Sequence, residues 1–223
     1  MREPSDQLEH LVKPTFTRPL ILASASVGRR QLLERLRLPF RVIVSDVDET
    51  QLPNETPMEM AFRLALAKAL SVAASHPEAV VIGSDQVADL DGQALGKPGS
   101  HAQAVAQLQA MRGKTVIFQT TVAVVCLESS FQRTELTQIK VKFHTLNDAQ
   151  IEAYLMAETP YECAGSVKSE GLGIALLESV ENDDPTALMG LSLIRTCQLL
   201  DKAGIGVIDT TMPMARCSEM DGF

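Results

Sequence analysis

The segment 20–33, LILASASVGRRQLL, constrains the fold more than any other stretch of this chain. An apolar run at 20–23 stops at the small residues 24–28, and leucines then recur at a helical spacing. This order predicts a buried strand, a short loop and a helix. A buried strand that leads into a helix is typical of α/β proteins, so we expect that fold class.

The predicted loop has the chemistry of a phosphate site. The first N–H groups of a helix lack internal partners and lie at the positive end of the helix dipole. Ser24 and Ser26 supply hydroxyls, and Arg29 supplies a charge that pairs well with phosphate. The glycine patterns of Walker and Rossmann loops are both absent. An ordinary strand-to-helix turn with surface arginines would explain the same residues.

Composition excludes some classes of function. The net charge of −8 argues against a broad surface for nucleic acid. No apolar run is long enough for a membrane span, and segment 1–18 lacks the apolar core of a secretory signal. We therefore expect a cytoplasmic protein that binds neither nucleic acid nor membrane. Flexible extensions are expected at 1–18 and 204–223, on either side of one domain at 19–203.

Carboxylates follow two of the predicted strands. Asp85 comes after the apolar run 79–83, at the kind of position where ligands gather in open α/β sheets. Glu49 belongs to the acidic segment 46–49 at the end of a predicted strand at 40–44. The four cysteines and four histidines are too scattered for a zinc site. Any metal is therefore expected to be Mg²⁺ or Mn²⁺, bound by Glu49 and Asp85. A turn residue and a solvated acidic loop are the alternatives.

Two lysines lie in positions that suit phosphate binding. Lys68 is in an alanine-rich helix that Thr56 begins with a capping box, and Lys97 follows a predicted hairpin turn at 91–92. Surface lysines are the alternative interpretation of both. Together with the carboxylates, these residues are suited to metal-assisted attack of water on a phosphoanhydride.

Six segments occur in a fixed order along the chain: LILASASVGRRQLL from 20, DVDET from 46, the lysine of LALAKA, IGSDQV from 82, LGKP from 95 and CAGSVKSEGLGI from 163. They resemble the motifs of the Maf family of nucleoside triphosphate pyrophosphatases, over about residues 20–200. The resemblance implies an elongated, two-lobed α/β fold of the Maf/ITPase type, with a mixed sheet and a central cleft. It also implies a homodimer.

The motifs GSDQV and AGSVKSEG resemble the YceF-like branch, whose members are associated with hydrolysis of 7-methyl-GTP to 7-methyl-GMP and pyrophosphate. The resemblance implies that Asp85 is the proton acceptor and that Gly28, Gln86 and Glu170 are base-specificity positions. Glu170 is suited to accept hydrogen bonds from a guanine edge and to favour a cationic methylated base. Gly28 departs from the tryptophan usual in that branch, so it cannot stack on the base.

The expected reaction combines these residues. Segment 24–29, Lys68 and Lys97 hold the triphosphate, a divalent cation binds near Glu49 and Asp85, and Asp85 activates the water that attacks the α-phosphorus. Two alternatives stay open at this point. One is the same hydrolase chemistry on dTTP, UTP or a modified pyrimidine triphosphate, and the other is a non-catalytic nucleotide-binding regulator of cell division.

Overall fold

The protein, described by a computed structural model over residues 18–208, is built on a mixed seven-stranded sheet with five α-helices. The strand order is β2-β1-β3-β5-β6-β7, and β4 pairs with β3 alone. The strands are β1 Leu20–Ala23, β2 Arg41–Val42, β3 Val80–Leu90, β4 Gln93–Leu95, β5 Thr115–Cys126, β6 Phe131–Phe143 and β7 Leu177–Glu181. The helices are α1 Val27–Glu34, α2 Pro57–Ala73, α3 His101–Met111, α4 Asp148–Glu158 and α5 Leu193–Lys202.

Strand β3 has different partners along its length. Its first residues run parallel to β1, from Leu20 opposite Val80 to Ala23 opposite Gly83. Its last residues pair with β4 from Ala88 onward, while β5 pairs antiparallel along most of the other edge. Residues 84–87 therefore have a strand partner on one side only. The opposite edge of this segment is open, and it borders the cleft described below.

The long β3 corrects one sequence prediction. A strand ending at Gly83 was expected, with Asp85 beyond its end and a second strand at 87–90. The structure has one strand through all of these residues, because β5 continues to pair with β3 across Asp85. The parallel pairing of β1 with β3 ends at Gly83, so Asp85 does lie just beyond the carboxyl end of a parallel strand pair.

The bounds of other elements differ from, or agree with, the sequence predictions. The strand expected at 40–44 is only the two-residue β2, whereas β6 pairs with β5 from Phe131 to Lys142. The predicted start of α2 is confirmed: Thr56 accepts a hydrogen bond from the Glu59 N–H, and the Glu59 side chain completes the capping box. Pairing between long neighbouring strands extends them beyond what alternation in one segment indicates.

The apolar core divides around the open edge of β3. One cluster covers the face of β1, β3 and β5 against α2, and a second covers the opposite face, where leucines of α1 and α5 pack. A third lies at the other end of the sheet, where Phe118 and Phe143 pack with residues of α3 and α4. The predicted α/β fold with a mixed sheet and a cleft between two lobes is confirmed.

Most of the two predicted extensions lies outside the described residues. At the described ends, Arg18 pairs with Glu128 and donates to the Glu78 carbonyl, and Ile205 is 1% exposed against the cluster beside α5. Within residues 18–208, no helix combines the length and the hydropathy that crossing a membrane would require.

Candidate active site

A cleft of about 710 Å³ lies along the open edge of β3, a volume in the range of small-molecule sites. Segment 24–29 forms one wall, α2 and the segment around Glu49 form another, and loops of the second lobe close the far side. The structure brings all the predicted site residues to this one cleft. They are Ser24, Ser26, Gly28, Arg29, Glu49, Lys68, Asp85, Gln86, Lys97 and Glu170.

Lys68 is the centre of a charged cluster on the floor of the cleft. Its Nζ lies 2.6 Å from Asp85 Oδ1 and 2.5 Å from Glu49 Oε1. The side chains of Lys68 and Asp85 are 7% and 8% exposed, so neither is the surface residue of the alternative interpretations. A buried ammonium needs paired, hydrogen-bonded carboxylates, and the cluster supplies two.

Gly83 allows this cluster to form. A Cβ at this position would lie 2.2 Å from the Ala65 carbonyl oxygen and 2.7 Å from the Ala69 nitrogen, both in the backbone of α2. Only glycine permits so close an approach of the helix to β3. Because Lys68 is on α2 and Asp85 is on β3, this close packing sets their separation.

Positive charge exceeds negative charge around this cluster. Lys97 Nζ lies 4.0 Å from Glu49 Oε2, and Arg29 also acts on this carboxylate. Burial tends to raise the pKa of Glu49, but the hydrogen bond from Lys68 and the three cationic side chains outweigh it, and the pKa lies below its ordinary value. Three cations against two carboxylates make this part of the cleft attractive to a polyanion.

The two serines of the loop before α1 accept hydrogen bonds from backbone N–H groups, and Ser26 is the N-cap of the helix. Ser26 Oγ accepts from the Arg29 N–H at 3.3 Å, and Ser24 Oγ accepts from the Ser26 N–H at 3.1 Å. Arg29 Nε donates to the Gly190 carbonyl at 2.8 Å, which anchors the guanidinium in the cleft. Gly190 has a φ of 99°, and a Cβ there would lie 3.4 Å from Arg29 Nε. The two serine oxygens thus shape the loop, and their hydroxyl hydrogens stay available to a ligand.

Gly28 and Glu170 meet at the other end of the cleft. A Cβ on Gly28 would lie 3.7 Å from Glu170 Oε1 and 3.8 Å from the Met189 carbonyl oxygen, both ordinary contacts. A Cβ would therefore fit at this position without displacing its neighbours. No aromatic side chain is among the described residues that line the cleft, so a bound base would contact aliphatic groups and sulfur.

The loop that carries Glu170 is held from behind by α4. Glu158 accepts from Lys168 Nζ at 2.8 Å and from the Leu172 N–H at 2.6 Å. The Tyr154 hydroxyl donates to the Ser166 carbonyl and accepts from the Lys168 N–H, each at 3.0 Å. Burial raises the pKa of Tyr154, which keeps this hydroxyl protonated. The glycine-rich loop is thus positioned by hydrogen bonds to α4 that the sequence alone did not indicate.

Segment 184–192, which none of the six sequence motifs marked, supplies Leu188, Met189 and Gly190 to the remaining wall of the cleft. Its 3₁₀ helix Ala187–Met189 and Gly190 make a turn, called here the 187–190 turn. Asp184 is 0% exposed and accepts four hydrogen bonds, from the N–H and hydroxyl of Thr186, the Ser192 hydroxyl and the Ile194 N–H. An aspartate followed by proline and threonine is a turn signal that could have marked this segment.

Comparison with known proteins agrees with this arrangement. The family model described as Maf-like protein matches residues 19–203. A protein of Albidiferax ferrireducens named 7-methyl-GTP pyrophosphatase is 66% identical over 191 residues, 86% of this chain and 96% of that protein. Proteins of the same name from Polaromonas sp. and Burkholderia pseudomallei are 64% and 53% identical, over 86% and 88% of this chain and 87% and 93% of theirs.

Among solved structures, a HAM1 protein from Coxiella burnetii has a TM-score of 0.41 and 15% identity, over 58% of this chain and 74% of that chain. The family assignment depends instead on the sequence matches. The family model covers the whole body of the sheet and every residue of the cleft, and the relatives match most of the chain. The chain belongs to the Maf family.

Proposed function

We propose that this protein is a pyrophosphatase that hydrolyses 7-methyl-GTP to 7-methyl-GMP and pyrophosphate. The observation that carries the proposal is the buried Lys68–Asp85 pair, which lies at the open edge of β3 beside the phosphate-binding loop. The names of relatives up to 66% identical support the choice of substrate. Location in the cytoplasm and assembly as a homodimer stay predictions.

The polar end of the cleft suits the triphosphate. Lys97 is 55% exposed and Arg29 is anchored by its Nε alone, so both have donors left for phosphoryl oxygens. Ser24 and Ser26 add hydroxyl donors beside the first turn of α1. These groups stabilise the charge that develops on the phosphoryl oxygens during the reaction.

Asp85 is the proposed general base. Lys68 Nζ donates to Oδ1 at 2.6 Å, which leaves Oδ2 to accept a proton from water. The oxygen of that water forms a bond to the α-phosphorus, and the bond from the α-phosphorus to the bridging oxygen breaks. Pyrophosphate leaves with the electron pair of that bond, and the nucleoside monophosphate stays behind with the new oxygen.

The donors present suit Mg²⁺ or Mn²⁺. Glu49 and Asp85 supply carboxylate oxygens, which hard divalent cations prefer, while no group of three or more His, Cys, Asp or Glu within residues 18–208 forms a protein-only metal site. Phosphate oxygens and water would complete the ligand set. When bound, such a cation would withdraw charge from the phosphoryl group.

The other end of the cleft suits a guanine base. Glu170 presents two acceptor oxygens beside Gly28, and a guanine edge offers two neighbouring N–H donors. A negative carboxylate also favours the positively charged ring of a 7-methylated guanine. Gly28 has no side chain to stack on the base, so Glu170 contributes correspondingly more to selectivity.

The test is pyrophosphate release from 7-methyl-GTP, GTP, UTP, dTTP and CTP, with Mg²⁺ or Mn²⁺ and with a chelator control. We expect 7-methyl-GTP to be preferred and the chelator to abolish release. Preference for a pyrimidine triphosphate would support pyrophosphatase chemistry but rule out 7-methylguanine as the preferred nucleobase. Replacing Glu170 by Gln would then leave the substrate preference unchanged. No release from any nucleotide would favour the non-catalytic regulator.

Replacing Asp85 by Asn directly tests its role as the general base. We expect kcat to fall by about 10²- to 10⁴-fold, the usual contribution of a general base, while the nucleotide still binds. Asp89→Asn is the matched control, because Asp89 is on the same strand, outside the cleft, where it accepts from Gln119 Nε2. Full turnover by the Asp85→Asn protein would refute the assignment.

A further inference from the structure

We infer that Gln86 selects the base indirectly and that the buried Thr120 is a positioning residue for base selection, because together they fix the 187–190 turn against the cleft. The inference rests on the proposed function, in which Gln86 is a base-specificity position. Thr120, which lies outside the cleft, joins the residues that affect base selection, and Gln86 acts through the turn rather than by contact with the base.

The amide nitrogen of Gln86 is fully engaged within the protein. It lies 2.8 Å from Thr120 Oγ1, 3.0 Å from the Ala187 carbonyl oxygen and 3.1 Å from the Leu188 carbonyl oxygen. An amide NH₂ has only two hydrogens, and three acceptors surround them. The side chain of Gln86 therefore has no donor left for a base, although Gln86 lines the cleft.

Thr120 links the strand to the turn. It lies directly opposite Gln86 in the β3–β5 pair, so both side chains are on the same face of the sheet. Its hydroxyl accepts from Gln86 and donates to the Ala187 carbonyl at 3.0 Å. Thr120 is 0% exposed and does not line the cleft, so it cannot touch a ligand there.

The turn held in this way forms part of the cleft surface. Leu188, Met189 and Gly190 line the cleft, and the Met189 carbonyl oxygen lies 3.8 Å from the position that a Cβ of Gly28 would take. Ser84 Oγ, on the same face of β3, lies 2.9 Å from the Gly190 carbonyl oxygen and 2.8 Å from the Thr121 carbonyl oxygen, and these two acceptors share its one hydroxyl hydrogen. Gln86, Thr120 and Ser84 thus contact the turn at the carbonyls of Ala187, Leu188 and Gly190. A shift of the turn would change the shape of the pocket beside Glu170.

The experiment compares the ratio of kcat/KM for 7-methyl-GTP to kcat/KM for UTP across variants. Thr120→Val keeps the shape and removes the hydroxyl that bridges the Gln86 amide and the Ala187 carbonyl, so we expect the ratio to fall about five- to tenfold. Thr120→Ser restores the hydroxyl and should restore the ratio. Gln86→Ala should lower it in the same direction, and the double variant should lower it no further.

A matched control and a second variant separate the interpretations. Thr196 is also 0% exposed and donates to a backbone carbonyl within α5, so Thr196→Val should leave the ratio unchanged. Gln86→Glu keeps the length and an acceptor oxygen but loses the donors, so a positioning role predicts a loss of preference, whereas reading through Oε1 predicts none. This variant also serves if Thr120→Val proves unstable in thermal unfolding.

Each failure has a distinct meaning. If Gln86→Ala lowers the ratio while Thr120→Val and Gln86→Glu do not, Gln86 contacts the base directly and the inference is wrong. If Gln86→Ala leaves the ratio unchanged, the proposed specificity role of Gln86 fails, and the positioning role fails with it. A parallel fall in Thr120→Val and Thr196→Val would show a general effect of lost buried hydroxyls and would overturn the inference.

Discussion

The close contact of α2 with β3 at Gly83 makes a quantitative prediction possible. An alanine Cβ at this position would lie 2.2 Å from the Ala65 oxygen and 2.7 Å from the Ala69 nitrogen, where ordinary contacts between heavy atoms are about 3.5 Å. Both neighbours are backbone atoms, so neither can move without the helix. Gly83→Ala must therefore displace α2 by about 1 Å.

We expect two consequences of this displacement. Overpacking against backbone costs about 3 kcal/mol, the upper end of its usual range, so the free energy of unfolding should fall by that amount. The Lys68–Asp85 contact, 2.6 Å in the structure, would lengthen beyond hydrogen-bonding distance. A displacement of this size in the reacting groups should lower kcat about tenfold to a hundredfold.

The assays are urea unfolding followed by circular dichroism and pyrophosphate release from 7-methyl-GTP. Gly206→Ala is the matched control, because a Cβ at Gly206 meets nothing within 4 Å and its φ is not positive. This control should retain its stability or gain a few tenths of a kcal/mol. An unfolding free energy of Gly83→Ala within about 0.5 kcal/mol of the parent protein would refute the packing argument.

Two further predictions concern residues behind the cleft. Asp184→Asn should lower the free energy of unfolding by about 3 kcal/mol at pH 7, because one amide group cannot accept all four hydrogen bonds. Burial opposes ionisation of Asp184, but these hydrogen bonds hold its pKa below the ordinary value. The stabilisation of the folded protein by the Asp184 carboxylate is thus complete above about pH 4 and is lost as the pH falls further. If Asp184→Asn lowered the free energy of unfolding equally at pH 7 and pH 3, the assignment would be wrong. Glu158→Gln should raise KM for 7-methyl-GTP about fivefold with kcat within twofold, because it loosens the loop of Glu170; steady-state kinetics check this, and a fall in kcat alone would contradict it.

Local signals in the sequence predict most of the strands and helices, and its motifs contain the side chains that line the cleft. The apolar run before the small-residue loop, the capping box at Thr56 and the turn at 91–92 are local signals, since each depends on residues within one or two turns of chain. The residues predicted for the site all line one cleft. Motif order grouped these residues before the structure placed them in one cleft, because charged and small residues in these patterns have little reason to occur together otherwise.

Tertiary structure alone decided which partner each side chain has. Lys68 was expected to contact phosphate, yet it lies buried between Asp85 and Glu49, because Gly83 brings a helix and a strand together. The 187–190 turn was not foreseen, because its hydrogen bonds join residues about 70 to 100 positions apart. Periodicity and capping report neighbours along the chain, whereas the contacts that set these positions exist only once the sheet and α2 have packed.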